Sequence, residues 1–416
     1  MNANMHQDAQ QMIKRIIAEN MPEQAVQNAL SNHAFEKNTY LVAIGKAAWT
    51  MAKAASDFLG DRLIEGIVIT KYDHAQGDLP RIEIIESGHP TPDENTLLGG
   101  AKVTALAERL TADDELVFLV SGGGSALFEY LQEGITLDHL VALTNQLLAS
   151  GADIVEINMI RKRLSRVKGG RFAAMCAPAS VFTVVLSDVL GDRLDSIASG
   201  PTAPDTVTTK DVQEVIEKYS LDLPEIMTPY LEMETPKEVS GVKTVITGSV
   251  RTLCTSAANA AEQLGYTPIV LTSTMNAQAR EVGRFLASIA ADTQNGINSF
   301  TKPCAIIAGG ETVVQLKGKG KGGRNQEIAL SAASGIAGYE GTLAFSLGSD
   351  GTDGPTDAAG GIVDNQTQAR LLEKGISIDK VLAENDAYPA LKAVDGLIMT
   401  GPTGTNVNDV TVILCK

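Results

Sequence analysis

Residues 39–60 read TYLVAIGKAAWTMAKAASDFLG, and this stretch decides the architecture. Its first part is an unbroken apolar run, the pattern of a strand buried on both faces. From Lys46 onward the apolar residues recur at helical spacing, so a helix opens where the strand stops and Gly45 marks the turn between them. The same alternation extends outward through EGIVIT (65–70), RIEIIES (81–87), ELVFLVS (115–121) and SVFTVVLSD (180–188). Amphipathic segments such as NTLLGGAKVTALAERL (95–110) separate these runs. Strands alternating with helices predict an α/β fold with a mostly parallel sheet and helices on both faces.

The pattern loosens around residues 200–242, where the proline-bearing stretch DLPEIMTPYLEMETPKEVSG reads as a connection between domains. We place the boundary near Gly241, giving domains 1–240 and 241–416. Beyond it come VKTVITGS (242–249), TPIVLTS (267–273), PCAIIAGGETVVQL (303–316), GTLAFSLGSDG (341–351), DGLIMTG (395–401) and DVTVILC (409–415). These strand-like runs alternate with fewer helices, so the second domain is expected to hold a mixed sheet.

A chain of 416 residues with 44% apolar positions can bury a sizeable core and suits two domains. The four cysteines show no CxxC spacing, which disfavours a zinc cluster or a disulfide scaffold and fits a reducing cytoplasm. The opening MNANMHQDAQQMIKRIIAEN lacks the apolar core of a secretion signal, and no run of about 18 apolar residues follows that could span a bilayer. A net charge of −16 disfavours nucleic acid as a partner. The positive charge is nonetheless concentrated. Arg161, Lys162, Arg163, Arg166, Lys168 and Arg171 form one cluster, and Lys317, Lys319, Lys321 and Arg324 form another. Two cationic spots on an acidic protein point to small anionic ligands.

Four strand-like runs end in glycine-rich polar loops: AIGKAA, LVSGGGSALF, IAGGET and LGSDGTDGPTDAAGG. Such loops let backbone N–H groups approach phosphate oxygens, and in open α/β sheets ligands bind beyond the carboxyl ends of strands. Lys46 opens a helix directly after a strand, where its ammonium can reach a phosphate. In SGGGS, residues Ser121, Gly122, Gly123, Gly124 and Ser125 form an anion-binding turn. A serine nucleophile is disfavoured there, because the GxSxG elbow is incomplete and no paired histidine is evident. Of the five histidines, His89 in ESGHPTPDE is the most site-like.

KGKGKGGRNQE (317–327) formally contains GxGxxG at Gly318, Gly320 and Gly323. A dinucleotide site is discounted, since lysines interrupt the glycines and no acidic residue ends a following strand to hold a ribose. GxxxxGK[ST] is absent as well. Arg324 begins the next helix, where its planar fork can grip a transferring phosphoryl group. Asp188, Glu311, Asp350, Asp353 and Asp357 follow strands and supply candidates for Mg²⁺ ligation and for accepting a hydroxyl proton, a role that suits Asp188. Several of these aspartates are equally suited to capping turns.

The set AIGKAA, ESGHPTPDENT, LVSGGGSAL, NMIRKRLSRVKGGR, LSDVLGDRLDSIASGPTAPD, AGGETVV, GGRNQE, SDGTDGPTDAAGG and GPTGTNVNDV resembles the MOFRL-type glycerate 2-kinases over nearly the whole chain. The resemblance implies a Rossmann-like N-terminal domain, a smaller C-terminal domain and an active site in the cleft between them. It also implies ATP-dependent phosphorylation of D-glycerate at the 2-hydroxyl. The family's essential lysine and arginine fall on Lys46 and Arg324, and its LSDV aspartate falls on Asp188. Members have also been labelled hydroxypyruvate reductases, so an NAD(P)H enzyme is the alternative. Together these readings assign ATP to Ser121, Gly122, Gly123, Gly124, Ser125, Glu311, Lys321, Gly323 and Asn408, and Mg²⁺ to Asp188 and Asp350. The substrate carboxylate is expected on SGGGS amides or on Arg161 or Arg166. The assembly expected is a monomer or homodimer.

Overall fold

The structure is a computed structural model that describes residues 2–416, with side chains from residue 4 onward. The described residues form twelve strands: β1 (Asn38–Ile44), β2 (Leu63–Lys71), β3 (Ile82–Ser87), β4 (Asp114–Val120), β5 (Ser180–Leu186), β6 (Val242–Gly248), β7 (Thr267–Met275), β8 (Cys304–Gly310), β9 (Thr342–Gly348), β10 (Gly360–Asp364), β11 (Leu397–Ile398) and β12 (Asp409–Cys415). The first six form one sheet in the order β3-β2-β1-β4-β5-β6. The pairs β2/β3, β1/β2, β1/β4 and β4/β5 are parallel, so these strands end at one edge. β1 and β4 are buried almost throughout, as expected of strands covered on both faces. Phe118 on β4 packs 4.9 Å from Phe172 and 6.1 Å from Phe128, ring centre to ring centre. Truncating one such ring to alanine costs about 3–5 kcal/mol.

The remaining strands form a second sheet ordered β11-β10-β9-β12-β8-β7. β12 lies antiparallel to both β8 and β9, while β7 and β8 are parallel, so the expected mixed sheet is present. Alanine and glycine stand where two of the helices that cover it meet. A Cβ on Gly283 would stand 2.3 Å from the Ile328 carbonyl oxygen, and one on Gly335 would stand 2.6 Å from Ala287 Cβ. These small residues bring helix Ala279–Gln294 close against helix Arg324–Gly335 and thereby fix where Arg324 begins.

Two compact units result, but they are not 1–240 and 241–416. One comprises residues 22–247, and the other joins the segment ending at Met21 to residues 248–416. VKTVITG, expected to open the second domain, is β6 and adds to the first sheet beside β5, where Thr247 Oγ1 donates to the Val185 carbonyl at 3.3 Å. A free sheet edge captured it across the proline-bearing connection. The opening helix, Asn2–Glu19, packs on helix Val250–Gln263 and on β9 of the other unit. It buries Met5, Ala9, Met12, Ile13 and Ile16, a stripe at helical spacing. Tyr266 donates to Asp8 at 2.7 Å and Asn20 to Ser256 at 3.0 Å, which secures both ends of that contact.

Two smaller differences concern strands. The apolar run 303–316 is a strand only to Gly310, and β10 (GGIVD) begins on the two glycines read as the end of the loop LGSDGTDGPTDAAGG. Among the described residues no helix is long and apolar enough to cross a membrane, and the four cysteines are free and buried.

Candidate active site

In the first sheet, β1 and β4 are neighbours although β2 and β3 lie on one side of β1 and β5 and β6 on the other side of β4. Connections therefore diverge between β1 and β4, which opens a crevice beyond their carboxyl ends, the place where such sheets bind ligands. The loops that follow these two strands carry Lys46 and SGGGS. Gly45 adopts φ +112°, and a Cβ there would collide with Ser121 Oγ at 2.3 Å, so only glycine allows the loops to touch. Lys46 N–H donates to the Gly122 carbonyl at 2.9 Å, and His74 Nδ1 lies 3.0 Å from the Lys46 carbonyl. The backbone of Lys46 is thus held from two sides. Its side chain is half-buried, and among the described residues its ammonium makes no hydrogen bond or ion pair.

The glycine loop is crowded on its other faces. A Cβ on Gly123 would stand 3.0 Å from His89 Nε2 and 3.2 Å from Lys46 Cε, and one on Gly122 would stand 2.2 Å from Asp188 Oδ2. Lysine, imidazole and carboxylate therefore surround one turn that has no room for side chains. The His89 pKa lies below the ordinary histidine value, first because burial penalises the charged ring and then because Lys46, Lys71 and His74 repel it. The N–H groups of Gly122 and Gly123 have no partner within the described residues. Ser121 differs from expectation: its hydroxyl accepts from Ala47 N–H at 3.1 Å and donates to the Ile44 carbonyl at 3.2 Å, tying the two loops together. The helix after SGGGS spans only Gly124–Leu127, too short for much dipole, whereas helix Ala48–Leu59 after Lys46 has twelve residues and no side-chain cap.

The cationic run 161–171 is mostly internal scaffolding. Lys162 pairs with Asp205 at 3.1 Å in the interior, and Arg163 holds Glu234 with the carbonyls of Met233 and Val207. Arg171 donates to the carbonyls of Lys162 and Ser165. Lys168 is fully buried beneath the glycine loop and donates to the carbonyls of Ser125 and Phe128 at 2.9 and 2.8 Å. Burial lowers its pKa to about 8, with Glu129 opposing the shift. Gly169 and Gly170 follow it in the chain. Their N–H groups donate to the carbonyls of Ser199 and Gly200 and clamp a turn in which Ala198 (φ +50°) and Ser199 (φ +62°) are left-handed. Such residues cost about 1–3 kcal/mol each and gather at functional sites. Ser199 in turn contacts Ser125 Oγ at 3.1 Å and donates to Asn158 Oδ1 at 3.1 Å.

In the second unit a cavity of about 800 Å³ is lined by Glu311, Thr312, Gly323, Arg324, Glu327, Asp350 and Asp353, among others. Arg324 is half-buried at the start of its helix. Its Nε and Nη2 donate to the two oxygens of Asp409 at 2.6 and 3.2 Å, and Nη1 donates to Glu311 at 3.0 Å. Burial opposes its charge, yet these carboxylates hold its pKa above the ordinary arginine value. Asp409 is pushed up to about 6 by burial, against the pull of Arg324. The helix N–H groups of Asn325 and Gln326 are taken by Asp353 at 3.0 and 2.8 Å. A protein carboxylate thus occupies the position a pyrophosphate takes in a dinucleotide fold.

The formal GxGxxG is packing. Gly318 and Gly320 abut the backbone of Glu384 and Asp386, and Gly323 abuts Asp353. Lys321 turns its ammonium over the Tyr388 ring at 4.5 Å, and its N–H is held by Asp386. Asp350 lines the cavity and accepts Thr352 N–H at 2.9 Å, while Asp357 binds the Tyr388 hydroxyl at 2.7 Å. Asn408 is buried in a left-handed conformation, and its carbonyl accepts Ser349 N–H at 3.0 Å. Asp409, Asn158 and Ser199, which make these contacts, were not singled out in the sequence. An acidic residue at the head of the apolar run DVTVILC was the available sign of the first. Among the described residues no three histidine, cysteine or acidic side chains gather as a metal cage.

Comparison with known proteins supplies the remaining findings. Residues 8–232 match a family described as a domain of unknown function (DUF4147), and residues 304–409 match the MOFRL family. A D-glycerate 2-kinase of Thermotoga maritima is 48% identical over 97% of this chain and 96% of its own length. A glycerate 2-kinase of Pyrococcus horikoshii is 43% identical over 90% and 87%. A putative hydroxypyruvate reductase of Agrobacterium vitis is 40% identical over 98% and 94%. The crystal structure of glycerate kinase from Thermotoga maritima superposes with a TM-score of 0.96 at 47% identity, covering all of both chains.

Proposed function

The chain belongs to the MOFRL-type glycerate 2-kinase family, and from that premise we propose that it transfers the γ-phosphoryl group of ATP to the 2-hydroxyl of D-glycerate, giving 2-phospho-D-glycerate and ADP. The observation that carries the chemistry is the unpaired, half-buried Lys46 set against the bare glycine turn at the β1/β4 crevice. A cation without a counter-charge beside free N–H groups is complementary to phosphate.

In this reading the 2-hydroxyl oxygen bonds to the γ-phosphorus, the bond from that phosphorus to the β,γ-bridging oxygen breaks, and ADP departs with the electron pair. Asp188, held against Gly122, accepts the hydroxyl proton. Lys46 and Gly122–Ser125 neutralise phosphate oxygens, and Arg324 stabilises the charge that spreads over the transferring group. Glu311 and Asp409 hold the Arg324 fork in orientation, Gly323 lets Asp353 reach the helix start, and Lys321 and Asn408 shape the loops around that cavity. Mg²⁺ would be held by Asp188 and Asp350 and would supply charge neutralisation of the phosphates. We place the protein in a reducing cytoplasm, a reading supported by its four free, buried cysteines, and expect a monomer or homodimer.

The reductase reading draws on the Agrobacterium vitis relative. Against it, the β1 loop carries one glycine and a lysine where a dinucleotide needs three glycines, and the formal GxGxxG helix is capped by Asp353. A coupled assay with ATP, Mg²⁺ and D-glycerate, following ADP and the phosphoglycerate isomer, tests the proposal. NADH oxidation with hydroxypyruvate and no ADP formation would sink it.

A further inference from the structure

We propose that Arg161 is the residue that recognises the carboxylate of the acceptor acid and so sets acceptor specificity. The inference rests on the kinase reading for the identity of the acid. It starts from an elimination the structure permits. Lys162, Arg163, Lys168 and Arg171 are each committed to internal carboxylates or carbonyls. Arg166 lies over the Tyr130 ring at 4.7 Å, with Glu108 at 3.8 Å.

Arg161 is different. It is half-buried on helix Ile154–Leu164, and its Nη2 reaches only the Ser125 carbonyl, at 3.4 Å. Its Nε is buried with no partner, and among the described residues Nη1 makes no hydrogen bond either. A buried N–H that lacks an acceptor is costly, and the end of the guanidinium, where Nη1 has no acceptor and Nη2 has only the long contact to Ser125, matches a carboxylate bidentately.

Its surroundings are built rather than incidental. Ser125 is fixed from the far side by Ser199, and Ser199 by Asn158, one helical turn before Arg161 on the same face. The left-handed backbone of Ala198 and Ser199 makes that chain possible, and the Gly169 and Gly170 N–H groups hold it. Lys46 contacts the loop at Gly123 and Arg161 contacts it at Ser125, so the phosphate-binding and carboxylate-binding charges address the same turn at different points.

Steady-state kinetics of the wild type, Arg161→Lys and Arg161→Gln provide the test, with thermal denaturation in the presence of D-glycerate or ATP alone. For Arg161→Gln we expect the KM for D-glycerate to rise on the order of 100-fold while the KM for ATP stays within about threefold. D-Glycerate should raise the Tm of the wild type but not of Arg161→Gln, and Arg161→Lys should fall between them. Equal losses for both substrates, or an unchanged D-glycerate KM, would overturn the assignment and leave Arg161 a support for Ser125. If Arg161→Gln does not fold, the same split in Arg161→Lys decides. A wild type that binds D-glycerate without making ADP, with the Tm shift lost in Arg161→Gln, would sink the kinase reading and keep the subsite.

Discussion

Lys46 and Arg324 are held in opposite ways. At Lys46 the backbone is clamped by Gly122 and His74 and the ammonium has no counter-charge. At Arg324 the side chain is clamped, with Asp409 across the fork and Glu311 on the remaining nitrogen. The first arrangement leaves a charge waiting for an anion. The second satisfies the charge in advance and fixes a direction, so an incoming phosphoryl group meets oriented donors rather than an unspent ion. Loops build the first, where glycines let strands approach. A helix start and a strand start build the second, far apart in sequence.

The sharpest way to break the contrast is to remove each cation. Arg324→Ala is expected to lower kcat on the order of 10³-fold and also to destabilise the fold by about 3 kcal/mol, because Asp409 is left buried without its partner. Lys46→Ala should show a similar loss of kcat with a Tm within about 2 °C of the wild type, since no ion pair is broken. Calorimetry on the two variants decides, and equal Tm losses would erase the distinction.

Gly122→Ala comes next. Its methyl must displace the Asp188 carboxylate 2.2 Å away, and kcat should fall on the order of 100-fold with the Arg324 corner undisturbed. Normal kcat in that variant would detach Asp188 from the reaction.

A smaller effect concerns pH. As pH falls through about 6, Asp409 takes up a proton and the fork of Arg324 loses its charged partner. The wild type should therefore lose kcat on the acid side of pH 6, and Asp409→Asn should flatten that limb. Stability runs the other way. The folded carboxyl titrates near 6 and the unfolded one near 3.8, so between those values the folded state binds more protons. This group's contribution to stability accordingly declines as pH rises through that window and stays at its low value above pH 6. Urea unfolding at pH 4.5 and pH 7, compared with Asp409→Asn, measures it. The smallest expected effect is Gly283→Ala, which overpacks Ile328 by about 1–3 kcal/mol and perturbs kcat only through the position of the Arg324 helix.

The Lys46 corner was the more legible of the two in sequence. Apolar runs broken by glycine locate the ends of β1 and β4, and parallel strands bring those ends to one edge. Arg324 was legible as a residue but not as a pair, because Asp409 lies 85 positions away and only the antiparallel placement of β12 between β8 and β9 brings it near. The run 161–171 misled for a related reason. Charge counts in sequence do not distinguish a solvated lysine from Lys162 or Lys168, which are paired in the interior. β6 and the opening helix were assigned by order along the chain, whereas edge pairing and a buried apolar stripe decided their places.

That opening helix bears on how the protein is made. The unit it completes is discontinuous in sequence, with residues 22–247 lying whole between the opening helix and the strands β7 to β12. The Lys46 unit can fold while translation continues. The Arg324 unit must wait for β12, and until helix Val250–Gln263 and β9 have been made the stripe Met5–Ile16 has nothing to cover it. A nascent chain arrested before β12 should thus resist protease across residues 22–247 and remain cleavable on either side.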